Sequence, residues 1–357
     1  MSFRFLNITN TPSKALVDLL KENIIGTPSQ SMLYQHLEVQ RKVDKIEKPF
    51  FASLIKGNTI LGTCCFCNRV TTNASKKMSS FYLRYFTFKE NYRSAHQIKE
   101  RKLNTKSLLR EEIKHLLLGK DLIEQNQPSF FHYAYVDPKN SRSLNLCNEF
   151  GFEPVRKFCT IVFNRLNPKA NFRVEKLLPS DVSEMKEKLS VFYKDYTMFS
   201  FENLFHTNEY YVIRDEKRNI VAGVQANPDR WKVLELPGLS GKIILNLFSA
   251  LPYLNRLIKK EYQFVTLEGL FVEKGNEKLL EILFETVLTK HNRNSAMTWV
   301  DYDSALYKTL KSLDLGILDK INHEVVANAI CKFVNIDKKE QTTFYEHPAY
   351  ISGTDLT

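Results

Sequence analysis

The sequence predicts an α/β fold, a mixed α+β sheet flanked by helices, arranged as two tandem halves. Three observations predict it. Apolar runs of strand length alternate with segments of helical period. The same order of parts occurs twice along the chain. No low-complexity linker divides the two occurrences, so the halves are expected to pack together.

In the first half, Phe50–Val70 reads as a strand, a tight turn at Gly57-Asn58 and a returning strand, because Asn beside Gly between apolar runs marks a hairpin. Leu83–Arg93 reads as a further strand and turn. "NTKSLLREEIKHLLL" reads as a helix with Thr105 as N-cap and Leu108, Leu109, Ile113, Leu116 and Leu117 as its apolar stripe. "YVDPKNSRSLNLCNEFGFEPV" (Tyr135–Val155) leaves an apolar strand at Asn140 and repeats Ser143, Leu146, Cys147 and Phe150 at helical spacing. Gly151 can take the left-handed conformation that ends a helix, and Phe152 returns the chain to a core. A strand at Lys157–Leu166 closes the half and Pro168 breaks it. The boundary falls near Asn167–Asn171, giving domains 1–168 and 169–357.

The second half opens with a helix in "LPSDVSEMKEKL", with Ser180 or Asp181 as N-cap and Glu184 in its first turn. Glu209–Pro228 repeats the hairpin pattern. Leu236–Lys260, with two glycines, two prolines and a dense apolar run, is expected to be a helical insertion (236–260). Core or inter-domain packing is its ordinary role. The sharper alternative is a substrate lid or acyl-chain wall with peripheral membrane contact through Arg256, Lys259 and Lys260. Thr266–Leu288 is a strand, a loop holding Gly275, and a helix that buries Leu279, Leu280, Leu283, Val287 and Leu288. Ser295–Ile317 then matches the Val-Asp strand, helix and glycine of the first half. Gly62 to Asn140 spans 78 residues (140 − 62) and Gly223 to Asp303 spans 80 (303 − 223), which indicates a duplicated unit.

Composition narrows the function classes. With 43% apolar and 25% charged residues in 357, the chain is an ordinary globular protein whose core needs no disulfide or metal. Cys64, Cys65 and Cys67 crowd one strand, and no CxxC pair or His cluster stands near them. Structural zinc is therefore not expected, and a reducing cytoplasm is. The N-terminal stretch lacks a signal-peptide core. The most hydrophobic run, Ile243–Ile258, is broken by Asn246, Pro252, Asn255 and Arg256 and cannot span a bilayer. The net charge of +11 suits nucleic acid, anionic lipid, phosphorylated cofactors or an acidic carrier. Its basic residues are scattered, without an arm or an RNP-like aromatic motif, which argues against dedicated nucleic-acid binding.

The strand-Asn-helix-Gly-Phe order formed by Asn140, Ser143, Leu146, Gly151 and Phe152 resembles the second half of the GNAT acyltransferase fold. Leu83–Arg93 resembles the strand and turn before that family's pyrophosphate loop. The pattern departs here, since Ser94, Ala95 and His96 follow Arg93 and no glycine comes before Gly119. Two readings stay open: Lys99, Arg101, Lys102 and Lys106 supply charge where the family supplies backbone N–H groups, or they form a solvated basic loop before an ordinary helix. The second half keeps Gly275 within Lys274-Gly275-Asn276-Glu277. The resemblance covers most of both halves and implies tandem GNAT-like domains.

What the resemblance implies for the site follows residue by residue. Cofactor contacts are expected at Arg93, Thr105, Lys106, Ser107 and Asn140 in the first half, and at Lys274, Gly275, Asn276 and Glu277 in the second. The working site is expected in the second half, as an open cleft with free N–H groups at Lys274–Glu277; a binding module would have that cleft filled. Acyl transfer needs a proton acceptor for the amine, donors on the thioester oxygen and an acid for the departing thiolate. Tyr307 is the expected acid and Glu268 the expected base, with Glu235 more remote. Their ordinary readings are a ring anchor and a salt-bridged strand residue. Cys147 stands where the family often has the acid tyrosine, and it reads as core rather than as a nucleophile served by His132. The donor is expected to be acetyl-CoA or another acyl-CoA, the acceptor a small-molecule or peptide amine, and no metal is needed. Two alternatives stay open: a tandem transferase drawing on aminoacyl-tRNA or acyl-carrier protein, and a non-catalytic binding protein, which the missing loop glycines and Cys147 favour for the first half only.

Overall fold

The computed structural model describes residues 3–89, 103–119, 122, 129–237, 259–321 and 324–356. In the first half these form β1 (Leu6–Thr9), α1 (Lys14–Glu22), β2 (Leu33–His36), α2 (Val39–Val43), β3 (Pro49–Lys56), β4 (Thr59–Asn73), β5 (Lys76–Phe88), α3 (Leu103–Leu117), β6 (Phe130–Val136), α4 (Ser141–Glu149) and β7 (Glu153–Asn164). The second half adds β8 (Val174–Lys176), α5 (Val182–Phe192), β9 (Tyr210–Arg214), β10 (Ile220–Glu235), β11 (Glu261–Val272) and α6 (Leu279–Lys290). It continues with β12 (Ser295–Asp301), α7 (Ala305–Lys311), α8 (Ile317–Ile321), β13 (Val326–Val334), α9 (Lys338–Glu346) and α10 (Gly353–Leu356). Among the described residues no helix is long and apolar enough to cross a membrane.

Local chemistry accounts for the boundaries. Gly57 turns the β3–β4 hairpin at φ +58°. Asn140 caps α4, its side-chain oxygen accepting the Ser143 N–H at 3.1 Å. Gly151 ends that helix at φ +79°, and Phe152 is buried behind it. On α6, Leu280, Leu283, Phe284, Val287 and Leu288 are all buried. Two expectations differ. Helix α3 already runs at Leu103, so Thr105 lies inside it rather than capping it. Helix α7 is capped by Ser304 and ends at Lys311, so Gly316 does not terminate it. Gly316 instead turns the chain past β7, where a Cβ would meet the Asn164 carbonyl oxygen at 2.3 Å. Residues 238–258 of the expected insertion lie outside the described residues.

The described strands join in one mixed sheet, ordered β1-β3-β4-β5-β6-β13-β7-β12-β11-β10-β9-β8, with β2 paired to β10. The duplication is visible, with a twist: the closing strands are exchanged. Strand β7 pairs with β12, and β13 pairs with β6, so each half supplies the strand that completes the other. Both halves also carry the same irregularity. On β5, Tyr85 and Phe86 together face Cys64; on β11, Gly269 and Leu270 face Val224. Tyr85 (φ 57°) and Gly269 (φ 56°) are left-handed, and the extra residue bends each strand away from its parallel neighbour.

Substitution of the two turn glycines separates backbone strain from steric conflict. Gly151→Ala should cost about 1–2 kcal/mol, since only the flexible end of Lys332 stands near the new Cβ. Gly316→Ala adds a clash with main chain and should cost above about 3 kcal/mol, read as the shift of the urea unfolding midpoint at constant slope.

Candidate functional site

In each half the parallel strands part, and in the second half a cleft opens between them. In the second half β11 and β12 are bonded only at Val265 and Thr266, opposite Ala296 and Met297. Residues 347–352 enter this cleft as a strap. The Thr197 N–H donates to Pro348 O and the Tyr350 N–H to Thr197 O, both at 2.8 Å. The Ala349 N–H donates to Asp301 at 2.9 Å, while Arg156 of β7 neutralises that buried carboxylate through two bonds of 2.8 Å. The Gly269 N–H donates to the buried Tyr350 hydroxyl at 3.2 Å. About 20 Å³ of free space remains, room for one water. At Gly353 a Cβ would lie 2.5 Å from Thr266 Cγ2, so a glycine is needed where the strands part.

Charge and hydroxyl groups fix the strap further. Glu268, 3% exposed, accepts from the hydroxyls of Ser352 and Thr354 and from the Thr354 N–H at 3.3 Å. Burial outweighs these bonds and pushes its carboxyl up to about 7. Asp355 receives both arms of Arg69 at 2.6 and 2.9 Å, and the Asn203 amide at 3.0 Å. Tyr82 donates to Asp355 O at 3.1 Å and Arg84 to Thr354 O at 2.8 Å. Arg69, Tyr82 and Arg84 lie on β4 and β5, so the strap fastens one half to the other. Of this network, sequence reasoning singles out only Glu268. Tyr345, Pro348 and Tyr350 mark an ordered segment, but nothing in its composition names its partners.

The other expected second-half residues stand apart from this cleft. Within Lys274–Glu277 the N–H groups of Gly275 and Asn276 are not free: Gly275 donates to Glu277 Oε1 at 2.9 Å and Asn276 to Glu273 O at 3.0 Å. Bonds from the Gly275 and Glu277 N–H groups hold the Glu277 carboxyl below its usual range. The chain's own carboxylate thus occupies the loop donors that a phosphate would use. The Tyr307 hydroxyl donates to Glu324 and its ring stacks on Tyr302, with centroids 4.9 Å apart. Tyr307 does not line the cleft that Glu268 lines. Glu235 is half-buried at the end of β10.

The first half is built differently at the corresponding place. Strands β5 and β6 are bonded from Ser79–Tyr82 to Phe130–Tyr133 and then part. Beyond that point Leu83, Ala134, Leu144, Cys147 and Phe150 are only half-buried, and Phe86 beside the bulge is 48% exposed. Helix α4 has no fully buried residue, whereas α7 buries Leu306 and Leu310. The chain following exchanged strand β7 does not turn back into a cleft; it runs along α6, with Lys169 N–H on Glu285 at 2.9 Å and Asn171 N–H on Thr286 at 3.0 Å. Asn140 spends its oxygen on the helix cap. Burial pushes the Cys147 thiol up to about 11, and burial also holds the His132 imidazole down to about 4, with Nε2 on Leu117 O at 2.9 Å. Neither is prepared for nucleophilic work. Arg93 lies outside the described residues, as do the side chains of Thr105, Lys106 and Ser107. Among the described residues no group of three metal-ligating side chains comes together.

No family model and no curated protein sequence matches the chain. Solved structures do. A structure of Saccharomyces cerevisiae N-myristoyltransferase with bound myristoyl-CoA matches with TM-score 0.57 at 10% identity, over 94% of this chain and 84% of that one. A second, with bound myristoyl-CoA and inhibitors, matches with TM-score 0.54 at 11% identity, over 93% of this chain and 80% of that one. At such identity the likeness is one of fold. The chain has the tandem GNAT fold.

Glu268 gives the strap a measurable pH signature. Because its carboxyl is raised to about 7 in the folded chain, the native state holds a proton that the unfolded state releases near 4.5. Stability from this group is therefore lost as pH rises through that window. Relative to the parent chain, Glu268→Gln should gain about 3 kcal/mol between pH 4.5 and pH 8, measured as the pH dependence of the difference in urea unfolding free energy. A difference that stays flat with pH would show that Glu268 is ionised throughout.

Proposed function

We propose that the chain is an N-acyltransferase that draws its acyl group from acyl-CoA held in the first-half cleft, between β5 and β6. The observation that carries this is the contrast between the two partings of parallel strands in one duplicated fold. One is filled by the chain's own strap; the other keeps half-exposed apolar walls. The fold shared with N-myristoyltransferase, a protein solved with myristoyl-CoA, supports an acyl-CoA as donor. Leu83, Phe86, Leu144 and Phe150 offer an apolar surface that an acetyl group does not need, which favours a longer chain over acetyl. The proposed acceptor is the amine of a small molecule or peptide.

The second half suggests how the first would work. There the Gly269 N–H at the bulge is met by a hydroxyl oxygen, that of Tyr350. The corresponding group in the first half is the Tyr85 N–H, which in the complex would face the thioester oxygen as charge develops on it. The acceptor nitrogen attacks the thioester carbon, the C–S bond breaks as the C–N bond forms, the amine loses a proton to water or a base, and the CoA sulfur takes one up as it leaves. Arg93, Thr105, Lys106 and Ser107 remain the proposed pyrophosphate contacts, the last three of them in the first turns of α3. Asn140 is read as the cap that shapes the cleft, Glu268 as the strap's anchor, and Tyr307 with Lys274–Glu277 as structural. The filled cleft favours a non-catalytic role for the second half alone.

Calorimetric titration with acetyl-CoA and myristoyl-CoA tests the reading. One equivalent of donor should bind, the longer one more tightly. Cys147→Trp, which fills the first cleft, should abolish binding, while Gly275→Asn, whose side chain meets open space, should leave it unchanged. Loss of binding in the Gly275 variant with retention in the Cys147 variant would return the site to the second half. No binding of either donor would remove the acyl-CoA reading altogether.

A further inference from the structure

A cavity of about 400 Å³ lies between β4 and the loop 200–206, away from the donor cleft, within the range of roughly 300–1,000 Å³ typical of small-molecule sites. Its floor is polar and buried. Arg69 Nε meets Glu202 at 2.6 Å, and the other arm of Arg69 is spent on Asp355, so the floor charges are answered from within the protein. Its walls are apolar, formed by Val70, Phe201, Leu204 and Phe205. Its mouth is basic. Lys48 and Lys186 have no ion-pair partner among the described residues, against the one unpaired carboxylate of Glu47. Lys186 Nζ stands 6.0 Å from the Phe201 ring and 5.8 Å from the Phe205 ring, which holds a cation directly over the apolar wall.

We infer that this cavity is a second ligand site, for a carboxylate carried on an aromatic or branched apolar stem. The stem would pack on Phe201, Phe205 and Val70 while the carboxylate lies between Lys48 and Lys186. A cationic ligand is disfavoured, because the faces of both phenylalanines already carry a lysine and the floor carboxylates are already paired. The site takes one wall from each half, β4 and the loop 200–206, and does not rest on the acyltransferase reading. The same chemistry could arrive as a free acid or as the end of a polypeptide.

Titration of the full chain with 3-phenylpropionate, and with 3-phenylpropan-1-ol as its uncharged counterpart, tests the inference. The acid should bind saturably and roughly tenfold more tightly than the alcohol, a difference of about 1.4 kcal/mol. Val70→Trp, at a side chain 61% exposed, should block the mouth and abolish binding of both. Lys186→Ala should remove the preference for the acid and leave the alcohol unchanged. Both sites are exposed, so unchanged urea midpoints verify folding. A tetrapeptide ending in a phenylalanine carboxylate that binds more tightly than the free acid assigns a polypeptide source; equal or weaker binding assigns a free acid. Absence of saturation, or equal binding of acid and alcohol that neither variant alters, overturns the inference.

Discussion

The buried pair between Arg69 and Asp355 joins β4 of one half to the segment that fills the cleft of the other. Both Arg69 and Asp355 are almost fully buried, at 8% and 4% exposure, and two parallel bonds lock their geometry. Removing one partner of such a pair typically costs about 3–5 kcal/mol, because a bare charge is left inside. The neighbouring strap residues are placed beside this anchorage. With Asp355 fixed, Thr354 and Ser352 fall on Glu268, Gly353 presses on Thr266, and Tyr350 reaches the Gly269 N–H. That pair anchors the strap at its far end, while Thr197 and the Asp301–Arg156 pair hold its start.

Each half reaches across to the other with an ion pair of its own. Arg69 on β4 meets Glu202 of the second half, and Arg230 on β10 meets Glu38 of the first. Counted from the bulge partners Cys64 and Val224, Arg69 lies five residues on and Arg230 six, on opposite faces of their strands, so the two ion pairs are separate contacts rather than copies of one. The residue before each bulge has diverged: Arg84 in the first half, Glu268 in the second. Where the second half puts a carboxylate that grips the strap's hydroxyls, the first puts a cation that meets a strap carbonyl. The strap is thus seated in the second half and braced by the first.

Much of the fold was legible because it rests on local chemistry. The turn at Gly57, the left-handed Gly151, the stripe on α6 and the doubled order of parts need only neighbours in sequence to be read. The site was less legible, for physical reasons. Gly275 looks like a surviving phosphate loop, but Glu277 two positions on supplies the anion from within. Asn140 looks like a cofactor contact, yet a helix N-terminus with an asparagine before it is satisfied by capping alone. Arg69 and Asp355 are 286 residues apart, and neither carries a local signal of the other. The exchange of β7 and β13 leaves no trace in pattern either, since both strands would read the same in either position.

That exchange bears on how the protein is made. During synthesis β6 emerges with its open edge facing no partner, because Ala329, which pairs with Tyr135, is still 194 residues away (329 − 135). A bare sheet edge is an invitation to pair with any passing strand, including the same edge on a neighbouring nascent chain. Closure of the sheet must wait for pairings of very long sequence separation, which slows folding. The nascent first half is therefore a candidate for chaperone attention in a way that the finished molecule, with both edges of its centre paired, is not.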